Sequence, residues 1–173
     1  APRARISSRM YTTCFACSLS AWGTLTVIAV WVKPDTVEGR RPLIGKRFPQ
    51  TSVPFILSIN EGMVVYEGSD VDGRYSYNFA SPPVVKADEW QHLAAVVQSG
   101  KSVTLYRNGE KIAEKAVTRP LCENSEPLIL GRDGWGGPKK DAKDPSFYEG
   151  LMDDVKFWAR ALTADDLKAE AAR

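Results

Sequence analysis

The sequence predicts an all-β chain, two antiparallel sheets packed face to face with one short helix at the C-terminus. Three observations carry this. Short apolar runs recur along the chain, divided by clusters of Gly, Pro, Asn and Asp, the residues that punctuate strands. Two tight turns are marked, Asn60-Glu61-Gly62 and Asn108-Gly109, the second being the dipeptide best suited to the positive φ angles of a two-residue hairpin. Finally, a convincing helix start occurs once, at Thr163. A length of 173 residues suits one domain with a real core, and 43% hydrophobic with 25% charged residues is ordinary for a globule.

In chain order, residues 1–10 carry Arg3, Arg5 and Arg9 without apolar periodicity and read as a basic arm ahead of a sandwich domain over 11–173. The first residue is Ala1 rather than Met, which we read as processing or excision from a longer protein. Residues 11–32 contain no charge, so they fit either a membrane anchor or a pair of strands. The β-branched Val27, Ile28, Val30 and Val32, running into Trp31-Val32-Lys33-Pro34, favour strands. Short strands follow over Leu43–Lys46, Phe55–Ile59 and Met63–Gly68. Another is expected over Arg74–Ala80, with Tyr75, Tyr77 and Phe79 sharing one face. Three consecutive strands then span Trp90–Val97, Val103–Arg107 and Lys111–Val117. The last alternates Lys111, Glu114 and Lys115 with Ile112, Ala113 and Ala116, as a strand with one wet face should. Pro127–Gly131 adds a strand, residues 132–146 a long loop, and Phe147–Trp158 the final strand. Thr163-Ala164-Asp165-Asp166 is a capping-box-like start with Leu162 and Leu167 at staple positions, for a helix expected over one open end of the core.

Several of these stretches also carry a pattern. Trp90-x-His92-x-Ala94 is followed by Leu105-Tyr106-x-Asn108-Gly109, with Trp31-Val32-Lys33-Pro34 upstream. Downstream come Leu130-Gly131-Arg132 and residues 150–158 with Ala161-Leu162. The set resembles laminin-G-like domains of the concanavalin A-like lectin superfamily over roughly residues 24–170. The resemblance implies a two-sheet antiparallel jelly-roll sandwich. It is a poor guide to function, since the fold hosts lectins, enzymes and adhesive modules.

Two residue groups have the chemistry of a ligand site. Trp135 lies in Gly131-Arg132-Asp133-Gly134-Trp135-Gly136-Gly137-Pro138, a glycine-rich loop with few neighbours to bury an indole. Sugar rings stack on such indoles while Arg132 and Asp133 can bond hydroxyls or an acidic sugar; the alternative is an indole folded back as a plug. A second polar-aromatic group runs from Tyr66 and Glu67 through Asp70, Asp72, Arg74 and Tyr75 to Tyr77. Tyr66 and Arg74 are taken from it as ligand contacts, although the acids, lacking the terminal bidentate Glu of a calcium loop, read more simply as a solvated turn. If Val155 and Phe157 face the core, alternation turns Asp153 inward too, where a carboxylate needs backbone N–H groups or a cation. The resemblance implies calcium near Asp153, with structural capping as the other reading.

Other chemistry is excluded or weak. A net charge of +2, without an aromatic-studded basic face, gives no case for nucleic acid. Retaining glycosidases of the resembled superfamily place two glutamates about an aspartate on one strand, and this chain has no such string, so catalysis is not expected. Cys14 and Cys17 sit three apart and would point to opposite strand faces; Cys122 could bridge one of them in an oxidising compartment. His92 reads as a packed strand residue. The expectation is a non-catalytic, secreted carbohydrate-binding module of a larger protein. The alternative is a structural or adhesive module that contacts other subunits of an extracellular assembly, with an anchor over 11–32 as a variant.

Overall fold

The computed structural model describes residues 25–47, 52–133, 147–160 and 162–172. The calls on Cys14, Cys17, Trp135 and the basic arm lie outside them. The elements are β1 (Leu25–Pro34), β2 (Arg40–Gly45), β3 (Ile56–Asn60), β4 (Met63–Glu67) and β5 (Phe79–Pro83). They continue with β6 (Gln91–Gln98), β7 (Ser102–Arg107), β8 (Glu110–Ala116), β9 (Ile129–Leu130), β10 (Gly150–Trp158) and α1 (Ala164–Glu170). One sheet runs β10-β1-β6-β7-β8 and the other β5-β4-β3-β2-β9, every pairing antiparallel. This is the jelly-roll sandwich.

Alternation builds the core. Ile28, Val30 and Val32 of β1 meet Leu93, Ala95 and Val97 of β6 and Leu105 of β7 on the inner face of the first sheet. Leu43, Leu57, Ile59, Val64 and Tyr66 face them from the second. The β1 run identified as strand-like is thus a central strand, paired on both sides. Residues 25–32 therefore do not form the membrane anchor weighed for 11–32, and among the described residues no helix is long and apolar enough to cross a membrane.

The turns behave as their sequences require. Glu61 and Gly62 take φ of 50° and 75°, and Asn108 and Gly109 take 51° and 77°, the positive pairs of two-residue hairpins. The Asn108 side chain also accepts the His92 N–H, tying the β7–β8 turn to β6. Gly109 has a second constraint, since a Cβ there would stand 2.8 Å from the Lys168 Cα of α1.

Three expectations are corrected. The strand drawn over Arg74–Ala80 starts only at Phe79, because Asp70 captures the backbone before it. Its Oδ1 accepts the N–H groups of Asp72 and Arg74, and its own N–H goes to the Arg74 carbonyl. Tyr75 is consequently exposed while Tyr77 is buried, although both were read onto one face. Second, α1 covers no open end of the core. Capped as read, with Thr163 and Asp166 exchanging both capping-box hydrogen bonds, it lays Leu167 on Val27, Ala29, Ala94 and Val96, the outer face of the first sheet. Third, Asp153 does not face inward. Val27, Ile28 and Ala29 pair with Trp158, Phe157 and Lys156, yet Trp31 pairs with Asp153, so β10 carries one extra residue opposite Val30. Asp154, at φ 45°, absorbs it. The bulge leaves Met152, Val155 and Phe157 packed on the core and turns Asp153 outward beside Trp31.

Candidate functional site

α1 is seated on the outer face of the first sheet, and the outer face of the second carries a charged cluster over a buried centre, Ser58 and Ile56. The register of the second sheet fixes what stands there. Arg40, Asn60 and Met63 form one outer row, Pro42, Ser58 and Val65 the next, and Gly45, Ile56 and Glu67 a third. Arg40 reaches across the middle row to Glu67, its Nη2 donating to Glu67 Oε2 at 2.5 Å. Its Nη1 donates to Asp133 Oδ2 at 2.5 Å. Arg47, just past β2, takes Asp133 from the other side, Nε to Oδ1 at 2.8 Å and Nη2 to Oδ2. The Asp133 side chain is 1% exposed, against 25% for Arg40 and 21% for Glu67. Half-covered charges survive here because each is paired.

The electrostatics follow. Burial alone would lower the Arg40 pKa, but Glu67 and Asp133 more than offset it and raise the guanidinium above its ordinary value. Two guanidinium groups, Arg40 and Arg47, thus stand against two carboxylates, Glu67 and Asp133, so the cluster balances in charge; Arg41 pairs with the inward Ile59, and buried Lys46 donates to the Asn124 carbonyl. Beneath the Arg40–Glu67 arm lies Ser58, fully buried, with an Oγ that makes no hydrogen bond. Arg40, its side chain a quarter exposed, is the guanidinium of the cluster that a carboxylated ligand would recognise.

The sequence-predicted residues are brought together only in part. Asp133 stands at the centre of the cluster, but as an anchor for two arginines rather than a free hydrogen-bonder. Arg132 is half-buried beside it, its backbone bridged to Phe147. Trp135 lies two residues beyond Asp133, outside the described residues. Tyr66 is corrected outright: it is fully buried in the core, its hydroxyl donating to the Pro54 carbonyl at 3.4 Å, so it presents no surface to a ligand. Arg74 belongs to another neighbourhood, the Asp70 loop, where Arg119 pairs with Asp72. Arg40 and Arg47 were missed, and no local signal marks them, because their partner is 93 and 86 residues away in sequence.

Asp153 is half-buried, its Oδ1 accepting the Asp154 N–H at 2.9 Å. Among the described residues no group of three or more His, Cys, Asp or Glu is placed to hold a metal. The inward carboxylate that motivated calcium is therefore not the arrangement found. Cys122 is a buried free thiol, pushed up to about 11 chiefly by burial.

Known proteins share this architecture. The sequence pattern of the concanavalin A-like lectin/glucanases superfamily matches residues 15–168. A CBM40 of the Ruminococcus gnavus IT-sialidase, solved bound to α2,3-sialyllactose, superposes with TM-score 0.73 at 18% identity, over 99% of this chain and 97% of that one. The SAP-like pentraxin of Limulus polyphemus gives 0.61 at 16% identity, over 86% and 70%. The receptor binding domain of botulinum neurotoxin mosaic serotype C/D gives 0.65 at 14%, over 86% of this chain but 36% of that one. A Bacteroides ovatus protein is likewise covered over only 40% of its length. None of the curated proteins matches the chain.

Proposed function

The chain belongs to the concanavalin A-like lectin/glucanases superfamily, and from that premise we propose that it is a non-catalytic, secreted or surface-displayed carbohydrate-binding module for acidic glycans. The observation that carries the reading is the Arg40–Glu67–Asp133–Arg47 cluster on the outer face of the second sheet. Asp133 and Glu67 hold the Arg40 guanidinium plane, a quarter exposed, where it would meet a sugar carboxylate and neighbouring hydroxyls. The CBM40 bound to sialyllactose, alike over nearly the whole of both chains, supports the ligand class. Trp135 enters as a stacking residue, since its loop follows directly from Asp133.

Lack of catalysis is part of the proposal. Glu67 and Asp133 are both engaged by Arg40, so neither offers the unencumbered carboxyl pair that glycoside hydrolysis uses. A calcium ion at Asp153 rests on the family resemblance alone. Melting with millimolar calcium and with chelator decides it: a rise in Tm with calcium that Asp153→Asn abolishes supports the ion, and equal values dispose of it.

The decisive experiment is calorimetric titration with 3′-sialyllactose and with lactose. The expected result is preference for the carboxylated sugar, weakening with salt, and at least about tenfold loss in Arg40→Ala, the loss of a charge-assisted hydrogen bond. Equal affinity for the two sugars would overturn the assignment. A melting curve of Arg40→Ala separates lost binding from lost fold.

A further inference from the structure

Asp133 and Glu67 grip Arg40 from opposite ends, and the two grips differ. Asp133 is almost wholly covered and also holds Arg47, so parting it from Arg40 would leave buried charge uncompensated. Glu67 and Arg40 are a fifth to a quarter exposed, and a carboxylate so placed regains water when its pair opens. The arm is therefore anchored at Asp133 and releasable at Glu67. Register shows what the releasable end crosses. Arg40 on β2 pairs with Asn60 in the first outer row, and Glu67 on β4 pairs with Ile56 in the third. β3 runs between those two strands, and in the middle row it carries Ser58, which pairs with Pro42 on one side and Val65 on the other. The ion pair thus runs diagonally over Ser58. The serine is fully buried, yet it is its neighbours Leu57 and Ile59 that belong to the core. Among the described residues the Ser58 hydroxyl has no hydrogen-bond partner, a desolvation cost that nothing in the free fold offsets.

We propose that the Glu67 end of the Arg40 arm is a gate over Ser58: an acidic sugar takes the place of Glu67 at the guanidinium, and one of its hydroxyls then bonds the uncovered Ser58 hydroxyl. This rests on the function proposed above and deepens it, naming Ser58 as a residue that sets specificity. Charge balance requires the exchange. Two guanidinium groups already face two carboxylates, so an incoming carboxylate has to replace one of them, and Glu67 is the one that water can take back. One carboxylate for another keeps the number of ion pairs, which makes the opening nearly neutral. What the exchange adds is a hydrogen bond that the free protein does not make. A simple carboxylate gains only the first part, so the gate selects acids that carry a hydroxyl close to the carboxylate.

The test is titration of 3′-sialyllactose into the wild type, Ser58→Ala and Glu67→Gln, with a melting curve for each. Ser58→Ala should bind roughly three- to tenfold more weakly. It should melt no lower than the wild type, because the hydroxyl it removes is unbonded in the free protein. Glu67→Gln should bind about two- to fivefold more tightly, the competing anion being gone. Unchanged affinity in Ser58→Ala, a melting temperature well below wild type in that variant, or a Glu67→Gln that binds no tighter than wild type each overturns the gate while leaving the charged face standing. A wild type that binds no sialyllactose overturns both.

Discussion

Asp133 is the residue on which the candidate site turns. Its carboxylate is almost wholly covered and is shared by Arg40 and Arg47, so it is held by charge rather than by packing. Removing one member of such a group leaves the others buried and uncompensated, which typically costs more than the intact group contributes. Asp133→Ala should therefore lower stability by about 3 kcal/mol, read by urea denaturation, and weaken glycan binding by loosening both arginines. A loss below about 1 kcal/mol would mean that the ions behave as surface pairs. None of this was legible in the sequence. Arg40 and Asp133 lie on β2 and beyond β9, strands whose adjacency follows from the sheet order and not from any local pattern. Asp133 itself was identified for its neighbours in the loop, the right residue for a different reason. Gly109 shows the opposite case: its turn was readable from Asn108-Gly109, but its clearance for Lys168 was not.

At the scale of elements, the two strand errors share one cause, a side chain or an extra residue that resets the backbone. Alternation over Tyr75, Tyr77 and Phe79 is sound as pattern, but Asp70 offers the amides a closer acceptor and the strand waits until Phe79. Alternation over Asp153, Val155 and Phe157 is equally sound until Asp154 inserts its bulge and exchanges the faces before it. The helix was readable in full as a local object, from its Thr163–Asp166 cap to the apolar pair Leu162 and Leu167, which join one cluster. Its docking place was not. At seven residues it is too short to persist alone, so Leu167 on Val27 and Val96, with the Lys156–Glu170 ion pair at 2.6 Å, must hold it. Leu167→Ala should cost about 2–3 kcal/mol and expose the α1 amides to rapid hydrogen exchange while those of β6 stay protected. Protection of α1 unchanged from wild type would show that the helix is held elsewhere.

Across the molecule, a loop, a strand pair and the helix cap are each held by a carboxylate that works only when ionised. At Asp70, burial pushes the pKa up, but the Arg74 and Asp72 N–H groups and Arg119 more than offset it and hold it below the ordinary 3.8. Glu114, hydrogen-bonded by Lys111 and Thr104, lies below 4.5, and Asp166, bonded by the Thr163 N–H and hydroxyl, below 3.8. A carboxyl whose folded value is lowered contributes stability that is fully present above its unfolded value. That contribution is lost as pH falls through the folded one. Denaturation midpoints should therefore hold level from neutrality to about pH 5 and drop below about pH 4; a midpoint that rises on acidification would contradict the assignment. The sandwich was legible at this scale because turns and strand spacing are local, whereas its sidedness depends on where α1 lands. On the function proposed above, that sidedness would make the molecule a directional adhesive. Copies fixed to a bead through a tag after α1 would all turn their arginines outward, and a glycan with many acidic ends would meet them as an array. Retention on such a bead would then grow far faster than the number of copies, whereas coupling through lysines at random would throw the advantage away.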